Sequence, residues 1–194
     1  MEKKPKIFQI GFNRCGTLCL YNFFKDNKIP SIHWDNGNLS LTMKKNHEQN
    51  KPLLNGLEKY VFFSDMEHFD ADIGVFYSHV HFYKLLDEQN PESKFILNTR
   101  NVDNWIKSRL NHKFCGITGF YANFIMSRLN ISLEQLLDKW RLEWDNHNKD
   151  VIEYFKGRED DLLIFDIEND DPQKIVDFLM EFYALKKNKF IKIN

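Results

Sequence analysis

An apolar run, Lys6-Ile7-Phe8-Gln9-Ile10, breaks into Gly11-Phe12-Asn13-Arg14-Cys15-Gly16 and continues at once as Thr17-Leu18-Cys19-Leu20, whose apolar residues have helical spacing. A strand that turns through glycines straight into a helix commits the start of the chain to a strand–loop–helix unit that binds an anion. The glycines let the backbone come close to the anion, and the helix offers unpaired N–H groups and the positive end of its dipole. Gly11 and Gly16 frame four residues, as in a Walker loop, but Thr17 stands where that loop carries its lysine, which argues against an ordinary ATP or GTP site. The cation lies inside the loop instead, at Arg14. A tyrosine-phosphatase loop is excluded as well, because the position six residues after Cys15 is Tyr21 rather than an arginine.

The remaining chain repeats this alternation. Strands are expected at residues 29 to 33, at Tyr60-Val61-Phe62-Phe63, at Lys94-Phe95-Ile96-Leu97-Asn98-Thr99 and at Leu162-Leu163-Ile164-Phe165. Between them, helices are expected from Thr17 to Asn27, from Asn38 towards Pro52, over residues 77 to 89, from Val102 to Leu110 with Asn101 as N-cap, from Ser132 to Phe155 and from Pro172 to Tyr183. Ser132 and Gln135 have capping-box spacing. Residues 112 to 130, aromatic and containing Gly116 and Gly119, read as a mobile cover. Apolar strands alternating with helices predict an α/β protein of three layers, a P-loop-type fold with a mainly parallel central sheet, and 194 residues fit one domain, 1–194. Ligands of such sheets gather at the carboxyl ends of the strands, where Gly11 to Thr17, His33 to Asp35, Ser64 to Glu67 and Arg100 all fall.

Composition narrows the partners. The net charge of −1 favours neither nucleic acid nor an anionic membrane, so anion binding has to be local. The polar start Met1-Glu2-Lys3-Lys4-Pro5 and the lack of any span-length apolar run lead to the expectation of a soluble, cytoplasmic protein. Three cysteines, Cys15, Cys19 and Cys115, have no zinc spacing and indicate no disulfide framework. Asp65, Glu67, His68, Asp70 and Asp72 match no defined set of metal ligands, and no metal is expected.

Two segments taken together resemble the sulfotransferases that use 3′-phosphoadenosine 5′-phosphosulfate (PAPS). Gly11 to Leu20 is similar to the family's 5′-phosphosulfate loop, with a basic residue before a small-Gly-Thr turn. Lys94 to Arg109 has the family's strand, arginine, helix and serine, with Arg100 and Ser108 eight positions apart. Between them, Phe63-Ser64-Asp65, Phe82-Tyr83-Lys84-Leu85-Leu86-Asp87 and Asn90-Pro91 follow the order and spacing of small sulfotransferase-like proteins. The resemblance implies transfer of a sulfuryl group from PAPS to a hydroxyl or amine of a small-molecule or sugar acceptor, without a metal, leaving adenosine 3′,5′-bisphosphate. It places the 5′-phosphate on Arg14, Cys15, Gly16, Thr17 and Leu18, and the 3′-phosphate on Arg100 and Ser108. Arg14 would also stabilise charge on the leaving phosphate.

Three residues compete as acceptor base. Asp65 ranks first by position, His33 is the substitute, and Glu67, like His68, reads as solvated. Two departures from the family stand out: Leu18 and Cys19 replace common hydroxyls, and the C-terminal basic glycine segment is missing, leaving Lys186, Lys187 and Lys189 as substitutes. Cys15 reads either as a thiol activated beside Arg14 or as a small loop residue. Phe114, Phe120, Tyr121 and Phe124 read either as an acceptor pocket or as core. Two other functions remain open: a P-loop nucleotide kinase with Asp166 as magnesium ligand, and a sulfotransferase-like module that binds without turnover.

Overall fold

In the computed structural model, which describes residues 4–186, the chain opens with β1 (Ile7–Gln9) and α1 (Thr17–Asp26), then β2 (Ser31–His33), a 3-10 turn over Asp35–Gly37 and α2 (Asn38–Glu48). β3 (Phe62–Ser64) runs into a hairpin of β4 (Glu67–Asp70) and β5 (Gly74–Tyr77), followed by α3 (Ser78–Gln89), β6 (Lys94–Thr99) and α4 (Val102–Leu110). A second hairpin, β7 (Lys113–Phe114) and β8 (Ile117–Thr118), precedes α5 (Phe120–Leu129) and the long α6 (Leu133–Tyr154). After β9 (Leu162–Asp166) and α7 (Gln173–Leu179), the described chain reaches Lys186. Lys187 and Lys189 lie outside the described residues.

Five strands form an all-parallel sheet in the order β2-β3-β1-β6-β9. Each strand alternates its apolar side chains between two helical layers, as a doubly covered sheet requires. On one face Ile7, Phe62, Ile96 and Leu163 meet Leu20, Phe23 and Phe24 of α1 and Ile175 and Leu179 of α7. On the other, Phe8, Phe63, Phe95 and Leu97 meet Met43 of α2, Leu86 of α3 and Val151 of α6. The architecture is therefore the three-layer α/β fold expected from the alternation. β1 sits at the middle: the chain first builds β2 and β3 to one side of it, then β6 and β9 to the other. This reversal opens a crevice at the carboxyl ends beside β1.

The strong local signals hold. α4 begins at Asn101, whose side chain accepts from the Asp103 and Asn104 amides at 3.0 and 3.2 Å. α6 carries the complete capping box of Ser132 and Gln135, and buries Leu136, Trp140, Trp144, His147 and Val151 along one stripe. Other expectations need correction. The strand expected over 60–63 is shifted to Phe62–Ser64, and the last helix stops at Leu179. The segment read as a mobile cover is instead a hairpin and the helix α5, with Tyr121, Ala122 and Ile125 buried. These three join Phe12, Cys15, Trp105, Trp140 and Trp144 in a third apolar cluster behind the glycine loop. The β4–β5 hairpin was not foreseen, and with it Glu67 and His68 are buried rather than solvated.

Candidate functional site

The glycine loop between β1 and α1 is held from behind. Asn98 on β6 accepts the Gly11 amide at 2.9 Å and donates to the carbonyls of Cys15 at 2.9 Å and Phe12 at 3.3 Å. Gln9 donates to the Gly11 carbonyl at 2.7 Å and to the Asn98 side chain, while its own oxygen accepts the Asp65 amide at 3.0 Å. The Trp105 indole donates to the Asn13 carbonyl at 2.9 Å. The glycines are sterically required. A Cβ on Gly11 would stand 2.0 Å from the Asn98 carbonyl oxygen, and one on Gly16 would stand 2.4 Å from Ile167, at a φ of +75°.

α1 differs from α4 and α6 at its start. Gly16 supplies no capping side chain, and no acid stands in the first turn. Its first amides therefore lack the side-chain acceptor that Asn101 and Ser132 give the other two helices, and they offer a positive end to an anion. Cations gather beside it. Arg14, at a φ of +63°, donates from Nε to the Ser108 hydroxyl at 3.1 Å. Arg100 donates from Nη1 to the Arg14 carbonyl at 3.0 Å, and from Nε and Nη2 to Glu168 Oε1 at 3.1 and 2.5 Å. The structure thus brings Arg100 and Ser108 to Arg14, more than eighty positions earlier, at the rim of one loop. Burial lowers the Arg14 pKa, with nearby Asp65 pulling it up and Arg100 pushing it further down.

Asp65 and His33 end the neighbouring strands β3 and β2. His33 Nε2 is 3.7 Å from Asp65 Oδ2, and its Nδ1 is 2.8 Å from the Ser64 hydroxyl. Tyr21 stacks on the ring at 5.3 Å between centroids. Burial pushes the His33 pKa down to about 4 and the Asp65 pKa up to about 6, against the pull of Arg14 and Arg109 on the latter. At neutral pH the imidazole is uncharged and the carboxylate ionised, more basic than a surface aspartate. Asp65 has a φ of +54°, and Trp34, Asp35 and Asn36 form a run with φ of 51 to 54°, so the backbone is strained on this side of the crevice.

Below Asp65 lies a buried charged centre that the sequence did not reveal. Arg109 is fully buried and donates to the hydroxyls of Tyr77 at 2.7 Å and Tyr121 at 2.8 Å, and Tyr121 in turn donates to Glu67. The guanidinium lies over the rings of Trp105 and Trp140, each 4.6 Å away. Burial alone would lower its pKa, but the phenols and Glu67 outweigh that and raise it. Glu67 is pushed up to about 7 by burial, with Arg109 opposing and Asp65 adding to the rise. Asp65, Glu67, His68, Asp70 and Asp72 do not gather as ligands, and no metal-holding group of three occurs among the described residues.

The family model of the sulfotransferase domain matches residues 6–182, from the first strand through α7. The chain is a member of the sulfotransferase-domain family. A search of curated proteins finds no match. The sulfotransferase domain here departs from a reactive-thiol reading of Cys15: the side chain is fully buried, and burial raises its pKa far above the ordinary thiol range, so it is a packed loop residue. Among the aromatic candidates for an acceptor pocket, Tyr121 belongs to the core, whereas Phe114, Phe120 and Phe124 are half-buried around Phe69 and Trp34. No helix among the described residues is long and apolar enough to cross a membrane.

Proposed function

We propose that this sulfotransferase domain moves a sulfuryl group from PAPS to a hydroxyl or amine of a small-molecule or sugar acceptor, releasing adenosine 3′,5′-bisphosphate. The observation that carries the reading is the uncapped, acid-free start of α1 with Arg14, Ser108 and Arg100 gathered beside it and Asp65 across the crevice. The residues present fit a nucleotide with phosphates at both ends. Backbone amides over Cys15, Gly16, Thr17 and Leu18 suit the 5′-phosphate, and Arg100 with Ser108 suits the 3′-phosphate. The donor, when bound, supplies the sulfuryl group and a phosphate leaving group.

Sulfuryl transfer is in-line displacement from the phosphate oxygen to the acceptor's oxygen or nitrogen, so the chain's own work is positioning, charge stabilisation and removal of one proton. Arg14, always protonated and fixed by Ser108, neutralises charge at the loop. Asp65 accepts the acceptor's proton; its raised basicity and its ionised state at pH 7 suit that role. His33, uncharged at neutral pH and 3.7 Å from Asp65, is the substitute base. Half-buried Phe114, Phe120 and Phe124 line the approach for the acceptor. The location proposed is the cytoplasm, where Cys15, Cys19 and Cys115, which form no disulfide, stay reduced.

Calorimetry with adenosine 3′,5′-bisphosphate tests the donor. Binding without magnesium is expected, and Arg100→Ala removes a charged contact worth about 1.5 to 3 kcal/mol, or roughly tenfold or more in affinity. Equal binding by mutant and wild type overturns the assignment. Preference for ATP with magnesium points to a nucleotide kinase, and binding without transfer from radiolabelled PAPS to any of a panel of acceptors points to a binding module.

A further inference from the structure

Arg100 is not waiting with its donors free. Nε and Nη2 both donate to Glu168 Oε1, so one of the two guanidinium edges able to hold two phosphate oxygens is turned to a carboxylate. Glu168 Oε2 accepts the Asn101 amide at 3.1 Å, and the Asn104 side chain donates to both carboxylate oxygens at 3.1 and 3.3 Å. Glu168 sits on a built turn rather than a loose surface arm. Its own amide donates to Asp166 Oδ1 at 2.8 Å, the Asp166 amide donates to Asp170 Oδ2 at 2.8 Å, and the Ile167 amide donates to the Thr99 carbonyl at 3.0 Å. Ile167 fills the space beside Gly16. The turn after β9 therefore lies against the glycine loop and the end of β6 at once, and carries a carboxylate onto the arginine of the proposed 3′-phosphate subsite.

We propose that Glu168 is an internal anion that competes with the donor's 3′-phosphate for Arg100, and so sets how strongly the site separates a 3′-phosphorylated nucleotide from one without that group. The inference rests on the donor reading above. Both side chains are about three-quarters buried, 22% exposed for Arg100 and 25% for Glu168, so water screens their pairing only in part. Burial alone would raise the Glu168 pKa, but the hydrogen bonds from Arg100, Asn101 and Asn104 outweigh it and lower it, which keeps the carboxylate ionised at neutral pH. An incoming 3′-phosphate thus meets an arginine whose charge is already matched and one of whose edges is occupied. A purely structural ion pair, tying the end of β9 to the end of β6, makes the opposite prediction: weakening it would loosen Arg100 and impair phosphate binding.

Calorimetry with two probes decides between them. Glu168→Gln keeps the shape and one of the two acceptor oxygens while removing the charge. Adenosine 3′,5′-bisphosphate is expected to bind it about tenfold more tightly than wild type, because the phosphate no longer has to displace a carboxylate from the Arg100 guanidinium. Adenosine 5′-monophosphate, which lacks the contested group, is expected to bind both proteins equally, and that equality also reports an intact loop. In the Arg100→Ala background the gain from Glu168→Gln is expected to vanish. If Arg100→Ala weakens bisphosphate binding but Glu168→Gln weakens it too or leaves it unchanged, the competition is overturned and the donor reading stands. If Arg100→Ala has no effect on bisphosphate binding, the donor reading falls, and the competition with it.

Discussion

Replacing Asp65 by Asn separates catalysis from stability at one atom pair. A carboxyl whose pKa rises from 3.8 to about 6 on folding opposes the folded state whenever it is ionised, by about 3 kcal/mol at most. The sign follows from the direction. Below 3.8 the group is protonated in both states and costs nothing; between 3.8 and about 6 the folded state holds the proton more tightly; above about 6 the full cost is present. With 18% of the side chain still exposed and an amide to bury in its place, a net gain of about 1 to 2 kcal/mol is expected for Asp65→Asn at pH 7.5. The backbone does not cloud the comparison, because Asn tolerates the φ of +54° as well as Asp does. Urea unfolding of both proteins from pH 4 to pH 8 measures the effect: the stability advantage of the mutant should grow between about pH 4 and pH 6 and then level off. In parallel, transfer from PAPS should fall by roughly two orders of magnitude while bisphosphate affinity holds, with a milder loss for His33→Asn. A stability difference that stays flat with pH would refute the buried-carboxylate argument, and the reverse ranking of the two mutants would move the base to His33.

Two further substitutions probe what holds the site. Gly16→Ala places a methyl 2.4 Å from Ile167 at a left-handed φ, and should cost about 1 to 3 kcal/mol in urea unfolding, partly recovered by adding Ile167→Ala; no recovery would show that backbone strain alone is responsible. Arg109→Met leaves Glu67 and the phenols of Tyr77 and Tyr121 without their cation and should cost about 3 to 5 kcal/mol, part of which Glu67→Gln restores; a loss under about 1 kcal/mol would mean that the centre carries no net charge pairing.

The parts of the fold that the sequence displayed are those whose signal is local. Phe95-Ile96-Leu97 is a continuous buried run, and its strand was placed to the residue. Asn101 and Ser132 cap their helices through amides two or three residues away, so both helix starts could be read directly. The glycine loop announced itself because only glycine fits against Asn98 and Ile167, although neither partner could be named from the sequence. What escaped depends on contacts across long separations. Glu67 and His68 looked like solvated residues because the cation that accompanies Glu67 lies more than forty positions on, at Arg109, and reaches it through Tyr121. Arg100 could be singled out as a candidate from its place after a strand, but its carboxylate partner, Glu168, follows a different strand. The hairpin β7–β8 and α5 were missed because two-residue strands show no period and closely spaced aromatic residues obscured the helical one.

The Tyr121 hydroxyl bridges Glu67 and Arg109, so the segment over residues 112–130 is wired into the interior. That restricts how this segment can diverge or be redesigned. Grafting a foreign segment over residues 112–130 would remove the phenol that compensates an interior guanidinium and would leave two buried charges without their bridge. The same segment also carries Phe114, Phe120 and Phe124, half-buried side chains that pack on one another and on Phe69 and take no part in the interior charge pairing. Substitution at those three positions leaves the Tyr121 bridge in place, whereas replacement of the whole segment removes it.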